Sequence, residues 1–188
     1  MTAVPFNGAT LSIADLPTQA GHTRHYHVNL QAADDLGTEV MQVPQGTVVP
    51  VDIDVTSMSD GVLFHATATT TCEGACVRCL EPVSFTFPVT VDEMFFTPEA
   101  IARIRKDDGE EAVEDLLELE GNDLELEPLF RDAIVTELPF TPLCSRDCEG
   151  LCDVCGEKWR DLPDDHHHEV LDPRFAKLAN FFSEADSD

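Results

Sequence analysis

Positive charge is scarce in this chain. Its 188 residues carry 11 lysines and arginines against 37 aspartates and glutamates, a formal charge of −26 with an isoelectric point near 4.2. Binding to naked nucleic acid draws most of its affinity from cations that neutralise phosphates. The few bases here are scattered, and acids outnumber them from Cys144 onward, so no basic stripe offers itself to RNA. Such a field repels RNA at long range, while screening over about 8–10 Å leaves room for a local contact. It attracts a basic protein. Solubility, or an acid-biased proteome, explains the same excess without any partner.

Long apolar runs are missing too. None approaches the roughly 18 residues a membrane helix needs. The stretch MTAVPFNGATLSIADLP has neither a basic n-region nor a continuous apolar h-region, so no secretory leader is expected. Catalytic signatures are also lacking: there is no H-E-x-x-H, no nucleophile elbow and no Gly-rich phosphate loop. Catalysis of any kind is not the expectation. Seven cysteines, an odd number without an export signal, point away from a disulfide framework and toward metal binding in a reducing cytosol.

With 43% hydrophobic residues the chain can bury a real core, and its length suits one domain, or one domain plus a small appendage. Residues 1–46 are weakly patterned, with short strands suggested at Leu11–Leu16 and His25–Leu30. His22, His25 and His27 are conceivable ligands, but scattered histidines in a strand are more ordinarily surface residues. Residues 47–97 carry a firm β signal. Val49, Val51, Ile53 and Val55 alternate on one face, Ser59-Asp60-Gly61 is a turn, Val62–Thr71 pairs back, and Val83–Phe95 alternates again. The expected architecture is α+β: an antiparallel β-meander, sheet or partly closed barrel, with a few helices and a cysteine-rich zinc module toward the C-terminus. Residues 98–126 read as an acidic, mobile insertion opened by a helix at Pro98, because Asp107 to Glu127 holds eleven acids and no base. Residues 127–182 read as a helix or strand-like element, the cysteine array and a last helix after Asp172-Pro173, followed by an acidic tail at 183–188.

The array itself is PLCSRDCEGLCDVCG, which spaces Cys144, Cys148, Cys152 and Cys155 as C-x3-C-x3-C-x2-C. Four clustered thiolates match the Cys₄ complement of a structural zinc site, and Gly156 gives the backbone freedom at the turn. The preferred reading is one local zinc site made by these four. The alternative pairs two knuckles across the fold, Cys76 and Cys79 with Cys152 and Cys155, as in a zinc ribbon. His166, His167 or His168 is a possible substitute for a sulfur, and Cys72 is a further thiol near the first knuckle. Cys76 and Cys79, with Arg78 between them, also suit a redox dithiol, but the thioredoxin βαβ context is absent. Cys148, Cys152 and Cys155 match the C-x3-C-x2-C spacing of a radical-SAM cluster; Val154 in place of an aromatic, and the short chain, speak against it.

Several of these stretches together are similar to one family. CVRCLEPV from Cys76 to Val83, a strand ending in Glu93-Met94-Phe95, Leu138-Pro139 leading into the cysteine array, and Asp172-Pro173-Arg174 resemble the YceD family of large-ribosomal-RNA-subunit accumulation proteins. The resemblance covers roughly Val48 to Leu178. It implies a process, the synthesis, processing or stability of large-subunit (23S) ribosomal RNA, and no mechanism; together with the charge of −26 it makes a cytoplasmic, non-enzymatic assembly factor the expectation. A basic ribosomal or ribosome-assembly protein is the expected partner, with RNA contacted only indirectly or locally and no small-molecule substrate. Arg78, Leu80, Pro82 and Glu93 are the partner-binding residues expected from it. A metal- or thiol-dependent enzyme acting on precursor RNA, and a zinc knuckle that binds RNA directly, are the competing readings. After Trp159 the chain departs from its resemblance: where many members carry an Asn and a further Cys-x-Cys, it has Asp164 to His168.

Overall fold

The computed structural model describes residues 3–32 and 36–168. The chain opens with β1 (Val4–Pro5), β2 (Thr10–Ser12), β3 (Thr23–Gln31), β4 (Leu36–Gly37) and β5 (Met41–Val43). Three long strands follow: β6 (Val48–Ser57), β7 (Gly61–Ala75) and β8 (Pro82–Phe96). Then come α1 (Pro98–Asp108), β9 (Leu117–Glu118), β10 (Asp123–Glu125) and α2 (Leu126–Glu137).

The expected meander is present. Strands β3, β6, β7 and β8 pair antiparallel in that order, and β5 continues the β6 side of β7 where β6 ends. The parallel strands β1 and β9 and the short β4 complete an open, half-barrel sheet. Period-two alternation decides its faces. Val49, Val51, Ile53 and Val55 of β6 and Val62, Phe64, Ala66 and Ala68 of β7 are buried. The residues between them face outward. There His25 sits opposite Asp54 and His27 opposite Asp52, with Nδ1–Oδ1 distances of 3.0 and 2.7 Å. These histidines thus make cross-strand surface pairs, and His22 bonds Gln19.

Helix α2 covers the concave core. Its spacing puts Leu126, Phe130 and Ile134 on one buried stripe. Phe130 meets Phe64 edge-on, with ring centroids 6.5 Å apart, and Phe64 meets Phe95 at 6.3 Å.

The acidic stretch read as a mobile insertion carries defined elements. Thr97 caps α1 by accepting the Ala100 N–H, and Ala100 and Ile101 are buried. β9 pairs with the end of β8, and β10 pairs with β2, burying Leu124 opposite Leu11. The acids line the solvent side of a segment anchored by a few apolar residues. The expected last helix after Asp172-Pro173 lies outside the described residues.

Candidate metal centre

The β7–β8 hairpin is long, with fifteen residue pairs from Gly61–Phe96 to Ala75–Pro82. Its tip is the first knuckle. The Cys76 N–H bonds the Glu81 carbonyl at 2.7 Å and the Leu80 N–H returns to the Cys76 carbonyl at 2.9 Å. This reversal puts Leu80 at φ 60°, in the left-handed region that a side chain resists. Its side chain is 67% exposed and gains little from burial. Leu80→Gly is therefore expected to stabilise the protein by about 0.5–1 kcal/mol, the strain relief less glycine's larger unfolded-state entropy. Urea unfolding of the two proteins measures it; a loss of stability would contradict the strain.

After α2 the chain passes Leu138 and returns to this tip as an arm. The Val77 N–H donates to the Pro142 carbonyl at 3.0 Å, and the Arg78 guanidinium donates to the Cys148 carbonyl at 2.7 Å. Gly150, at φ 85°, packs so tightly that an added Cβ would lie 3.0 Å from the Arg78 carbonyl oxygen. These contacts bring Cys144 and Cys148 to the knuckle. The Cys76 and Cys148 sulfurs lie 3.8 Å apart, and those of Cys79 and Cys144 lie 3.5 Å apart. Four sulfurs at about 2.3 Å from one tetrahedral zinc would be about 3.8 Å from each other. Cys76, Cys79, Cys144 and Cys148 therefore form a donor set that fits zinc, with Val83, Leu143 and Leu151 packed around it.

The local four-cysteine site is thus not what the structure assembles. Cys144 and Cys148 join Cys76 and Cys79, while Cys152 and Cys155 fall in a separate group with His166 and His168. The zinc-ribbon alternative, Cys76 and Cys79 with Cys152 and Cys155, is not assembled either. The reason lies in the chain's path: the turn at Gly150, pressed on Arg78, separates Cys148 from Cys152. Cys72 belongs to neither group. It faces the sheet core, bonds the Phe85 carbonyl, and burial pushes its thiol up.

The electrostatics of the two knuckles match. Burial opposes ionisation of Cys76, yet N–H groups of Cys144, Cys79 and Arg78 hold its thiol down at about 6. N–H groups of Cys155 and Val154 likewise hold Cys152 below the usual thiol range. Cys144, beside the sulfurs of Cys79 and Cys148, is pushed up to about 12, and burial raises Cys148. A salt bridge spans the two knuckles. Glu81 takes Lys158 at 2.6 Å and also Arg160, and the hydrogen bonds from Lys158 and then Arg160 hold its carboxyl below the ordinary range.

The remaining site residues do not form one surface. Arg78 is engaged with the arm, Leu80 is exposed at the tip, and Pro82 begins β8. Glu93 lies eleven residues further along β8, about 35 Å away at about 3.3 Å per residue. It lines a different feature, a groove of about 920 Å³ between β8, the β9–β10 segment and α2. Nine acidic residues line that groove, among them Glu93, Asp115, Glu118, Asp123 and Asp132, over a floor including Val91, Phe95 and Leu129. No lysine or arginine is among the described lining residues. The acidic run at 107–127 was plain in the sequence but the groove was not, because its acids come from three separate segments.

Among the described residues no helix is long and apolar enough to cross a membrane. Known proteins place the chain. It is 34% identical over 171 residues to an uncharacterized protein of Mycobacterium bovis, covering 90% of this chain and 79% of that one. An uncharacterized protein of Mycobacterium tuberculosis gives the same identity and coverage. One from Mycobacterium leprae is 33% identical over 148 residues, which span 79% of this chain and 65% of the relative. No solved structure matches. The family model described as large ribosomal RNA subunit accumulation protein YceD matches residues 64–182, from near the start of β7 through the knuckle, the acidic segment, α2 and both cysteine groups. The chain belongs to the YceD family.

Proposed function

We propose that this protein is a non-catalytic ribosome-assembly factor that promotes accumulation of large-subunit ribosomal RNA by binding a basic ribosomal or assembly protein. The observation that carries the reading is the family match, whose description names that RNA. The formal charge of −26 and the carboxylate-lined groove favour a cationic protein over RNA as the direct contact. An acidic wall over an apolar floor suits a lysine- or arginine-bearing segment with some apolar side chains. Such complementarity raises association rates and is weakened by salt. In this reading zinc is structural, holding the arm on the hairpin tip.

Depletion in the native organism is expected to lower the ratio of large- to small-subunit ribosomal RNA. Tagged full-length protein is expected to retain an identifiable basic ribosomal or assembly protein. Glu93→Gln/Asp115→Asn/Asp132→Asn should reduce that recovery about tenfold, as should raised salt. An unchanged RNA ratio would overturn the process assigned. A normal complex with the triple variant would overturn the groove as its seat.

A further inference from the structure

We propose that the chain carries two metal ions, the second a zinc held by Cys152, Cys155, His166 and His168. This site is independent of the ribosomal reading, and its first mark is a repeated backbone. Cys76-Val77-Arg78-Cys79-Leu80-Glu81 and Cys152-Asp153-Val154-Cys155-Gly156-Glu157 share the pattern Cys-x2-Cys-x-Glu. Their main chains repeat as well. The Cys152 N–H bonds the Glu157 carbonyl at 2.7 Å, and the Gly156 N–H returns to the Cys152 carbonyl at 2.8 Å. Those are the two bonds made by Cys76 with Glu81 and Leu80, and Gly156 at φ 75° occupies Leu80's left-handed place. Each knuckle aims two thiols at one point and so needs two more donors. The first finds Cys144 and Cys148. They are thereby used up for the second.

His166 and His168 supply that second pair. The donor atoms of Cys152, Cys155, His166 and His168 all lie within 4.8 Å of one another. The Cys155 sulfur is 3.7 Å from His166 Nε2, against about 3.6 Å for a thiolate and an imidazole on one tetrahedral zinc. His166 is oriented from both sides, edge-on to Trp159 at 5.5 Å and to His168 at 4.4 Å. Its N–H bonds the Pro163 carbonyl at 2.9 Å. The loop from Glu157 to His168 contributes no residue to the buried core, so apolar packing does not account for this convergence. A shared ion does, and Cys₂His₂ is an ordinary zinc set.

The experiment counts metal on full-length protein purified without chelator, by native mass spectrometry, and follows Trp159, the chain's one tryptophan. Wild type is expected to carry two zinc ions. His166→Ala/His168→Ala is expected to carry one. Stepwise chelation should change Trp159 fluorescence as the second site empties, and this change should be missing from the histidine variant. Cobalt exchange should leave that variant with the spectrum of a four-sulfur site. Should the variant fail to fold, Cys79→Ser/Cys148→Ser offers the converse test: one metal retained, with the Trp159 response intact. One zinc in wild type, two in the histidine variant, none in the cysteine variant, or a Cys152–Cys155 disulfide lighter by two hydrogens would each overturn the proposal.

Discussion

Serine at both Cys79 and Cys148 should release one metal ion and detach the arm while leaving the sheet folded. Each change removes one thiolate from a different side of the first donor set, one from the hairpin tip and one from the arm. A serine hydroxyl is not a replacement for a zinc-bound thiolate, so two ligands cannot hold the ion. Apparent zinc-binding energies in small zinc modules reach about 10–16 kcal/mol and are spent on folding the module. What remains to hold the arm is modest: the Val77–Pro142 and Arg78–Cys148 hydrogen bonds, the Cys144 N–H on the Cys76 sulfur, the packing of Leu143, Leu151 and Val83 about the cysteines, and the bridge from Glu81 to Lys158 and Arg160. Hydrogen bonds contribute only about 1 kcal/mol each, and a partly exposed ion pair less. The sheet core, by contrast, is a separate cluster that includes Cys72 but none of the proposed ligands. Hydrogen exchange should therefore accelerate by about 100-fold or more at the Val77 amide and through residues 143–151, while β6 amides keep their protection. Retention of full metal content, or unchanged exchange in the arm, would refute the assignment of these four sulfurs.

How far the sequence disclosed this arrangement depends on the range of the interaction. Val49 to Val55 and Val83 to Phe95 alternate over many residues, so the long strands and their turn were legible. The helix at Leu126–Glu137 was legible as a helix or a strand, and its stripe of Leu126, Phe130 and Ile134 settled the period. Strands β9 and β10 were not legible, being two and three residues long and ordered by distant partners, β8 and β2. The eleven acids of Asp107 to Glu127 masked Leu124, which is buried. Cysteine positions were plain, but their division was not. Spacing along the chain says which thiols can share an ion, whereas the turn at Gly150 decides which do converge. One signal went unused: Cys-x2-Cys-x-Glu occurs twice, and two like knuckles each ask for a further donor pair.

Phe130→Ala is expected to cost about 3–5 kcal/mol, the range for truncating a buried aromatic. Phe130 is fully buried and stands at the centre of the stripe by which α2 meets the sheet. Truncation removes the edge-on contact with Phe64, worth about 0.5–1.5 kcal/mol beyond area, and opens a void. The void does not close cheaply, because Phe64 is itself fixed edge-on to Phe95. Surrounding polar ties limit how far α2 can shift. Glu127 accepts the Gly8 N–H at 2.6 Å and pairs with Arg131 at 3.0 Å, whose guanidinium lies over the Phe6 ring. Against a total stability of about 5–15 kcal/mol for ordinary domains, such a loss is a large fraction. Urea unfolding should show the midpoint falling with the slope unchanged, and Ile134→Val should cost only about 0.5–1.5 kcal/mol. A loss below about 1 kcal/mol for Phe130→Ala would mean that α2 is not seated on Phe64. In the cold, where the variant still folds, its metal content should equal that of wild type, because the ligands lie beyond Leu138 and at the hairpin tip rather than in this core. Metal loss accompanying the core defect would instead couple the two clusters and require the arm to depend on the seating of α2.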